Sequence, residues 1–144
     1  MRSFSSREAS EFVGALIEFD AVRAREIVLS LTRYPVFLTR DLAAARRWLR
    51  QARRATERAG LLASSNALRL KPEGIFVRAK IEPTRWFLEP TEDIRSSNSL
   101  EDVGTEFDVQ GLELDWTCVC WDANLRAGPT GWETLVSKGR GGTA

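Results

Sequence analysis

Residues 105–115, Thr-Glu-Phe-Asp-Val-Gln-Gly-Leu-Glu-Leu-Asp, bring together the groups needed to hold a phosphorylated sugar. The Thr105 hydroxyl can donate to a phosphate oxygen, and the Glu113 carboxylate can accept from ribose hydroxyls. Gly111 lets a backbone approach a ligand closely. Each residue alone is commonplace in a loop. The combined spacing, Thr-x4-Gln-Gly-Leu-Glu-x-Asp, is far less common. It reads locally as a strand end, a Gly-hinged turn and the start of the next strand.

Other chemistries find less support. The chain has no His, which removes Ser-His-Asp and Cys-His arrangements. Ser64-Ser65 follows an apolar run and reads as loop and cap serines. Glu101, Asp102, Glu106, Asp108, Glu113 and Asp115 cluster as a metal nuclease would require. No Lys accompanies them in E-x-K or D-x-K form, so a solvated acidic face is the simpler reading. No G-x-x-x-x-G-K-[ST] loop occurs, and Gly139–Gly142 has neither the preceding strand nor the following Lys-Ser/Thr. Cys118 and Cys120, i and i+2 on a strand, are poorly placed for a mutual disulfide. C-x-C without His is not a metal pair either, so buried free thiols in a reducing compartment are expected.

A second candidate is electrostatic. Arg46, Arg47, Arg50, Arg53 and Arg54 surround an apolar stripe of Leu42, Ala45, Leu49 and Ala52, a pattern for a helix from Thr39 or Asp41 to about Arg58. Eighteen of the 21 basic residues are Arg, and guanidinium forks match phosphate oxygens; a GC-rich genome would leave the same bias. Net charge is only +1, but the two parts differ. Residues 1–60 hold 12 Arg against seven acids, and residues 61–144 hold nine Lys and Arg against 13 acids. One basic face follows. It either meets a nucleic-acid backbone, through Arg50 and Arg53, or is simply solvated.

The elements that must position these groups are those of one domain-sized α/β chain of 144 residues. Residues 5–31 have helical periodicity, with a capping box at Ser5 and Glu8 and a break where Asp20 caps a second helix. Tyr34-Pro35 ends the pattern. Val36-Phe37-Leu38 reads as a buried strand, the Arg-rich helix follows and stops at Gly60, and Leu61-Leu62-Ala63 completes a βαβ unit. Ile75-Phe76-Val77 reads as a strand, and Trp86-Phe87-Leu88 as a strand or short helix. Val103–Phe107 and Trp116–Trp121 flank the polar segment as strands. Residues 127–144, with Gly128-Pro129 and Gly139-Arg140-Gly141-Gly142, read as a diverged or flexible tail. No leader peptide or long apolar run is evident, so neither secretion nor membrane spanning is expected.

The spaced run resembles motif V of superfamily 1 helicases, Thr-x-His-x-x-(Lys/Gln)-Gly-x-(Glu/Thr), on the second RecA-like domain. More closely, the chain resembles the Schlafen group 3-like DNA/RNA helicase domain family. The stretches that carry this are YPVFLTRDLAAARRWLR, GLLASSNALRLKPEGI, WFLEP, DIRSSNSLEDVGTEFDVQGLELDW and CVCWDANLR, over about residues 30–126. The resemblance implies a three-layer, mostly parallel sheet with flanking helices, an incomplete second RecA-like domain over residues 1–126. It implies nucleic-acid contact at Thr105 and nucleotide contact at Gln110, Gly111 and Glu113. Phe107 stands where many helicases have His, and Arg95 is a weaker candidate cation, with a structural ion pair as the alternative.

The family's Walker elements lie upstream and its motif VI Arg downstream; neither is found in this sequence. The expectation is a fragment of an NTP-dependent DNA/RNA helicase or translocase, inactive alone. ATP and Mg belong to the full-length family, and the expected partners are DNA or RNA and a P-loop RecA-like domain, in the cytoplasm. The alternative is a non-catalytic binding or regulatory module that docks on nucleic acid or on a partner P-loop domain.

Overall fold

The computed structural model describes residues 3–31 and 34–135, with side chains in the first helix from Arg7 on. The described residues of 1–38 and 129–132 form one compact unit, and those of 39–128 and 133–144 a second.

The first unit is a pair of helices, α1 (Ser3–Ile17) and α2 (Ala21–Ser30). The break falls at Asp20, as its capping chemistry requires: the carboxylate accepts from the Arg23 amide at 2.9 Å. Helix α1 starts at Ser3, so Ser5 lies within its first turn and not ahead of it; the Ser5 side chain of the expected capping box lies outside the described residues. Phe19 takes a left-handed φ of 61° to turn the chain. Its ring meets Trp132 edge-to-face at 5.4 Å, and the Trp132 indole donates to the Leu16 carbonyl at 2.8 Å.

Val36-Phe37-Leu38 is not a strand. Leu38 is 99% exposed, and the expected βαβ unit therefore lacks its first strand. Three apolar residues in a row are consistent with a strand but do not make one; a ladder on a neighbouring strand must take up the backbone groups.

The second unit begins with Asp41, whose carboxylate caps α3 (Leu42–Ala52) by accepting from the Ala44 amide at 3.1 Å. The helix ends at Ala52, short of the expected Arg58, because Arg53 turns extended and Glu57 accepts from the Arg54 amide at 2.9 Å. Gly60 is thus a strand residue and not the helix stop.

Three parallel strands follow: β1 (Ala59–Leu62), β2 (Val103–Gly104) and β3 (Trp116–Val119), in the order β2-β1-β3. Leu61 lies opposite both Val103 and Cys118, and Leu62 opposite both Gly104 and Val119. Residues in register share a face. One face therefore carries Ala59, Leu61, Val103, Trp116 and Cys118, and packs on Leu49 of α3 in the main core. Trp48 meets Trp116 edge-to-face at 5.5 Å. The opposite face carries Gly60, Leu62 and Gly104.

Two apolar runs are used otherwise than as strands. Ile75 and Val77 plug the core from a turn that begins at Gly74, φ +82°, after a 3-10 helix over Leu68–Glu73. Trp86 is 1% exposed and lies in the short helix α4 (Pro83–Leu88). β4 (Leu125–Ala127), at the start of the expected 127–144 tail, pairs with β5 (Trp132–Thr134) within it, and Arg126 donates to Glu133 at 3.0 and 3.1 Å. Residues 136–144 of the expected tail lie outside the described residues.

Candidate functional site

Strands β2 and β3 lie on opposite sides of β1 and run parallel, so residues 105–115 must cross the sheet. The crossing occupies the face opposite α3. A Cβ on Gly104 would stand 2.8 Å from Val109 Cγ1, and one on Gly60 would stand 2.8 Å from Leu114 Cδ1. Trp86 fills the remaining space, 2.9 Å from that Gly60 position and 3.3 Å from that of Gly104. The two glycines make room for an indole and a chain crossing.

Local hydrogen bonds shape the crossing. Thr105 is buried, and its hydroxyl and amide both donate to Asp108 Oδ2, at 2.6 and 2.9 Å. The Thr105 carbonyl accepts from the amides of Asp108 and Val109 at 3.0 and 3.2 Å. This turn ends β2 at Gly104, short of the expected Phe107. A second turn closes from the Leu112 amide to the Val109 carbonyl at 3.0 Å, with Gly111 at φ +79°. A Cβ at Gly111 would meet nothing within 4 Å, so backbone sign and not crowding requires glycine here. Asp115 closes the far end. Its carboxylate accepts from the Arg58 amide at 2.7 Å, and the Arg58 carbonyl accepts from the Asp115 and Trp116 amides.

The result is a loop anchored by Val109, Leu114 and Asp115, with Gln110, Gly111 and Glu113 exposed. Neither Gln110 nor Glu113 makes a side-chain hydrogen bond or ion pair among the described residues. Thr105 is different: its hydroxyl proton is already used, so contact with a phosphate requires exchange for Asp108.

Arg50 and Arg53 lie elsewhere. With Thr91, Glu92, Ile94, Asn98, Ser99 and Glu101 they line a cleft of about 430 Å³. Arg50 donates to the Ser99 carbonyl at 3.2 Å and lies 3.8 Å from Glu101; Arg53 donates to Thr91 at 3.0 Å. Helix α3, which carries Arg50 and is followed directly by Arg53, covers one face of the sheet and the crossover covers the other, so the two sequence-derived sets do not converge.

The family model for the Schlafen group 3, DNA/RNA helicase domain matches residues 1–140. The chain belongs to this family. The match takes in both compact units and the β4–β5 hairpin. No curated protein and no solved structure matches the chain.

Within this Schlafen group 3 domain, the DIRSSN stretch turns out to be mainly architectural. Asn98 is buried and accepts from the Ala59 amide at 2.7 Å, which satisfies the first donor of the central strand. Ser96 donates to the Glu89 carbonyl at 2.8 Å. Arg58 reaches the same loop at Ser96 Oγ, 3.5 Å, and ties it to the end of α4 through the carbonyls of Leu88 and Glu89, at 2.8 and 2.7 Å, with its guanidinium 5.9 Å from the centre of the Phe87 ring. Nothing in residue type marks Arg58 off from the other arginines; its role is set by contacts 30 and 31 residues away.

Ser64-Ser65 also gains a role. Glu106 accepts from the Ser65 amide and hydroxyl at 2.8 and 2.7 Å, which joins the ends of β1 and β2. Asn124 donates to Ser64 at 3.3 Å and brings in the chain after β3. Burial acts to raise the Glu106 pKa, but the Ser65 bonds outweigh it and hold the carboxyl below its ordinary value.

Cys118 and Cys120 are free and half-buried. Hydrogen bonding with Cys120 holds the Cys118 thiol down at about 7 against the effect of burial, with the Arg46 charge assisting. The partner thiol is pushed up. Among the described residues no group of three His, Cys, Asp or Glu could hold a metal ion, and no helix is long and apolar enough to cross a membrane.

Proposed function

We propose that this chain is part of a RecA-like, NTP-dependent DNA/RNA helicase or translocase module, and that residues 105–115 meet both nucleic acid and nucleotide. The observation that carries this reading is the crossover loop, whose Gln110, Gly111 and Glu113 are exposed and uncommitted on an anchored backbone. Such a loop loses little conformational freedom when it binds. Gln110 and Glu113 supply the amide and carboxylate that a sugar and base edge require. Thr105 reaches a phosphate by exchanging it for Asp108. Arg50 and Arg53 add a second contact to the backbone.

ATP and Mg fit this reading only through a partner. The sequence has no phosphate loop to cradle the nucleotide phosphates and orient Mg. A P-loop RecA-like domain, in cis or in trans, supplies both. The chain alone therefore hydrolyses no NTP. Turnover by the purified chain that survives Glu113→Ala would overturn this proposal. So would activity of a complex with its P-loop partner that is indifferent to both Glu113→Ala and Gln110→Ala.

The separation of the two sets favours one rival, a non-catalytic module that docks on nucleic acid through α3. Oligonucleotide binding lost in Arg50→Ala and Arg53→Ala but unchanged in Thr105→Ala and Glu113→Ala would support that rival.

A further inference from the structure

Arg95 stands beside three residues with fixed duties. Ser96, Ser97 and Asn98 are buried, and Ser96 and Asn98 hold α4 and β1 in place. Arg95 itself points out of this packed loop. Its backbone amide donates to Asp93 at 2.8 Å, but its guanidinium makes no ion pair or hydrogen bond among the described residues. The structural ion pair that could have explained it does not form. Lys80 is uncommitted in the same way.

Both line one cleft of about 400 Å³, together with Ile81, Glu82, Arg85 and Asp102. That volume is within the range of about 300–1,000 Å³ for ligand sites. Its walls are firm. Arg85 lies on α4 next to the buried Trp86, whose indole donates to the Asp102 carbonyl at 3.3 Å. Arg85 Nε is shared between Glu82 at 4.0 Å and Glu89 at 3.8 Å. This leaves Lys80 and Arg95 free to act on a ligand. The cleft is distinct from the one lined by Arg50 and Arg53, although the loop over residues 91–102 contributes to both.

We propose that this cleft binds a phosphodiester of a nucleic-acid backbone, with Lys80 and Arg95 as the phosphate ligands. The charge of the site argues for a diester over a free nucleotide. Three cations and two carboxylates line it, leaving one positive charge. A phosphodiester brings one negative charge, whereas a nucleoside triphosphate brings several, and Asp102 would repel them. Arg95 offers the planar fork and Lys80 the compact charge, a pairing suited to one phosphate group. The inference rests on the nucleic-acid part of the proposed function but uses none of its residues.

The test is a fluorescence-anisotropy titration of the full chain with labelled single-stranded oligo(dT) and oligo(rU) over a range of salt. The variant is Lys80→Ala with Arg95→Ala; the charge-matched control is Arg69→Ala with Arg78→Ala, two cations outside the cleft. In the cleft variant we expect affinity to fall about tenfold at low salt, for both oligonucleotides alike. The slope of log K against log salt becomes shallower by about 0.7, because one phosphate is no longer neutralised. The control falls less. ATP at matched ionic strength leaves this difference between wild type and cleft variant in place. Binding that is retained unchanged in the cleft variant, or that falls equally in the control, overturns the cleft alone. Selective loss of the difference on adding ATP overturns the choice of a diester. Absence of any oligonucleotide binding by the wild-type chain overturns the cleft and the nucleic-acid part of the proposed function together.

Discussion

Gly60→Ala tests how the crossover is held. A methyl group there meets Leu114 Cδ1 at 2.8 Å and the Trp86 ring at 2.9 and 3.0 Å. Ordinary carbon–carbon contacts are about 3.5–4.0 Å, so something must move by roughly 0.5–1 Å. Trp86 is fully enclosed, and swinging it strains the bond from its indole to the Asp102 carbonyl. The flexible Leu114 gives way first and lifts the loop that carries Glu113. Overpacking of this kind costs about 1–3 kcal/mol. Replacing a strand glycine by alanine recovers about 0.5–1 kcal/mol of backbone entropy. The net expectation is a loss of up to about 2.5 kcal/mol, with about 1.3 kcal/mol as its midpoint, read from urea unfolding followed by Trp fluorescence. The m-value should hold, since the surface exposed on unfolding is unchanged. A Gly60→Ala chain as stable as wild type would refute the packing of Trp86 and Leu114 against this strand. Gly14→Ala is the matching contrast: it is in a helix with nothing within 4 Å of the added carbon, and it should gain about 0.5–1 kcal/mol.

Other substitutions probe other contacts. Gly111→Ala keeps the space but places a Cβ at φ +79°, so we expect a loss of about 1 kcal/mol in the same assay, less for Gly111→Asn. Arg58→Lys should cost about 1–3 kcal/mol in thermal or urea unfolding, because one ammonium cannot reproduce the guanidinium's bonds to two carbonyls and its place over Phe87. Glu106 has a folded pKa below its ordinary 4.5, so the unfolded chain takes up protons first on acidification. Its contribution is present above that value and disappears as pH falls through the lower folded pKa; Ser65→Ala should flatten this part of the stability–pH curve. Iodoacetamide should label Cys118 with an inflection at about pH 7, ahead of Cys120, and Cys120→Ala should move the inflection upward.

Local chemistry made several elements legible in the sequence. Asp20 and Asp41 cap helices because a carboxylate beside free amides satisfies them wherever the helix later packs. Cys118 and Cys120, two positions apart, face one side because successive side chains of an extended chain alternate, and both pack on the core. The apolar runs were less informative. Val36–Leu38, Ile75–Val77 and Trp86–Leu88 are alike in hydrophobicity, yet the first is exposed, the second plugs the core from a turn and the third enters a short helix. Three residues are too few to show a period, so their fate depended on what lay beside them.

The candidate site divides in the same way. The sequence by itself determined that 105–115 is a polar, Gly-hinged turn before a strand; that position 111 needs glycine for its left-handed φ of +79° came from the structure. Membership of the Schlafen group 3 helicase domain family is also a property of residue order. Only the tertiary structure decided that the segment crosses a sheet face, because Gly60 and Gly104 open that face only once β1 and β2 pair. It also decided that the Thr105 hydroxyl is held by Asp108, that Arg58 is a tie between loops, and that the Arg95 guanidinium pairs with no other described residue. Each of these follows from the approach of side chains to groups on other elements, and the covalent order of residues does not contain such distances.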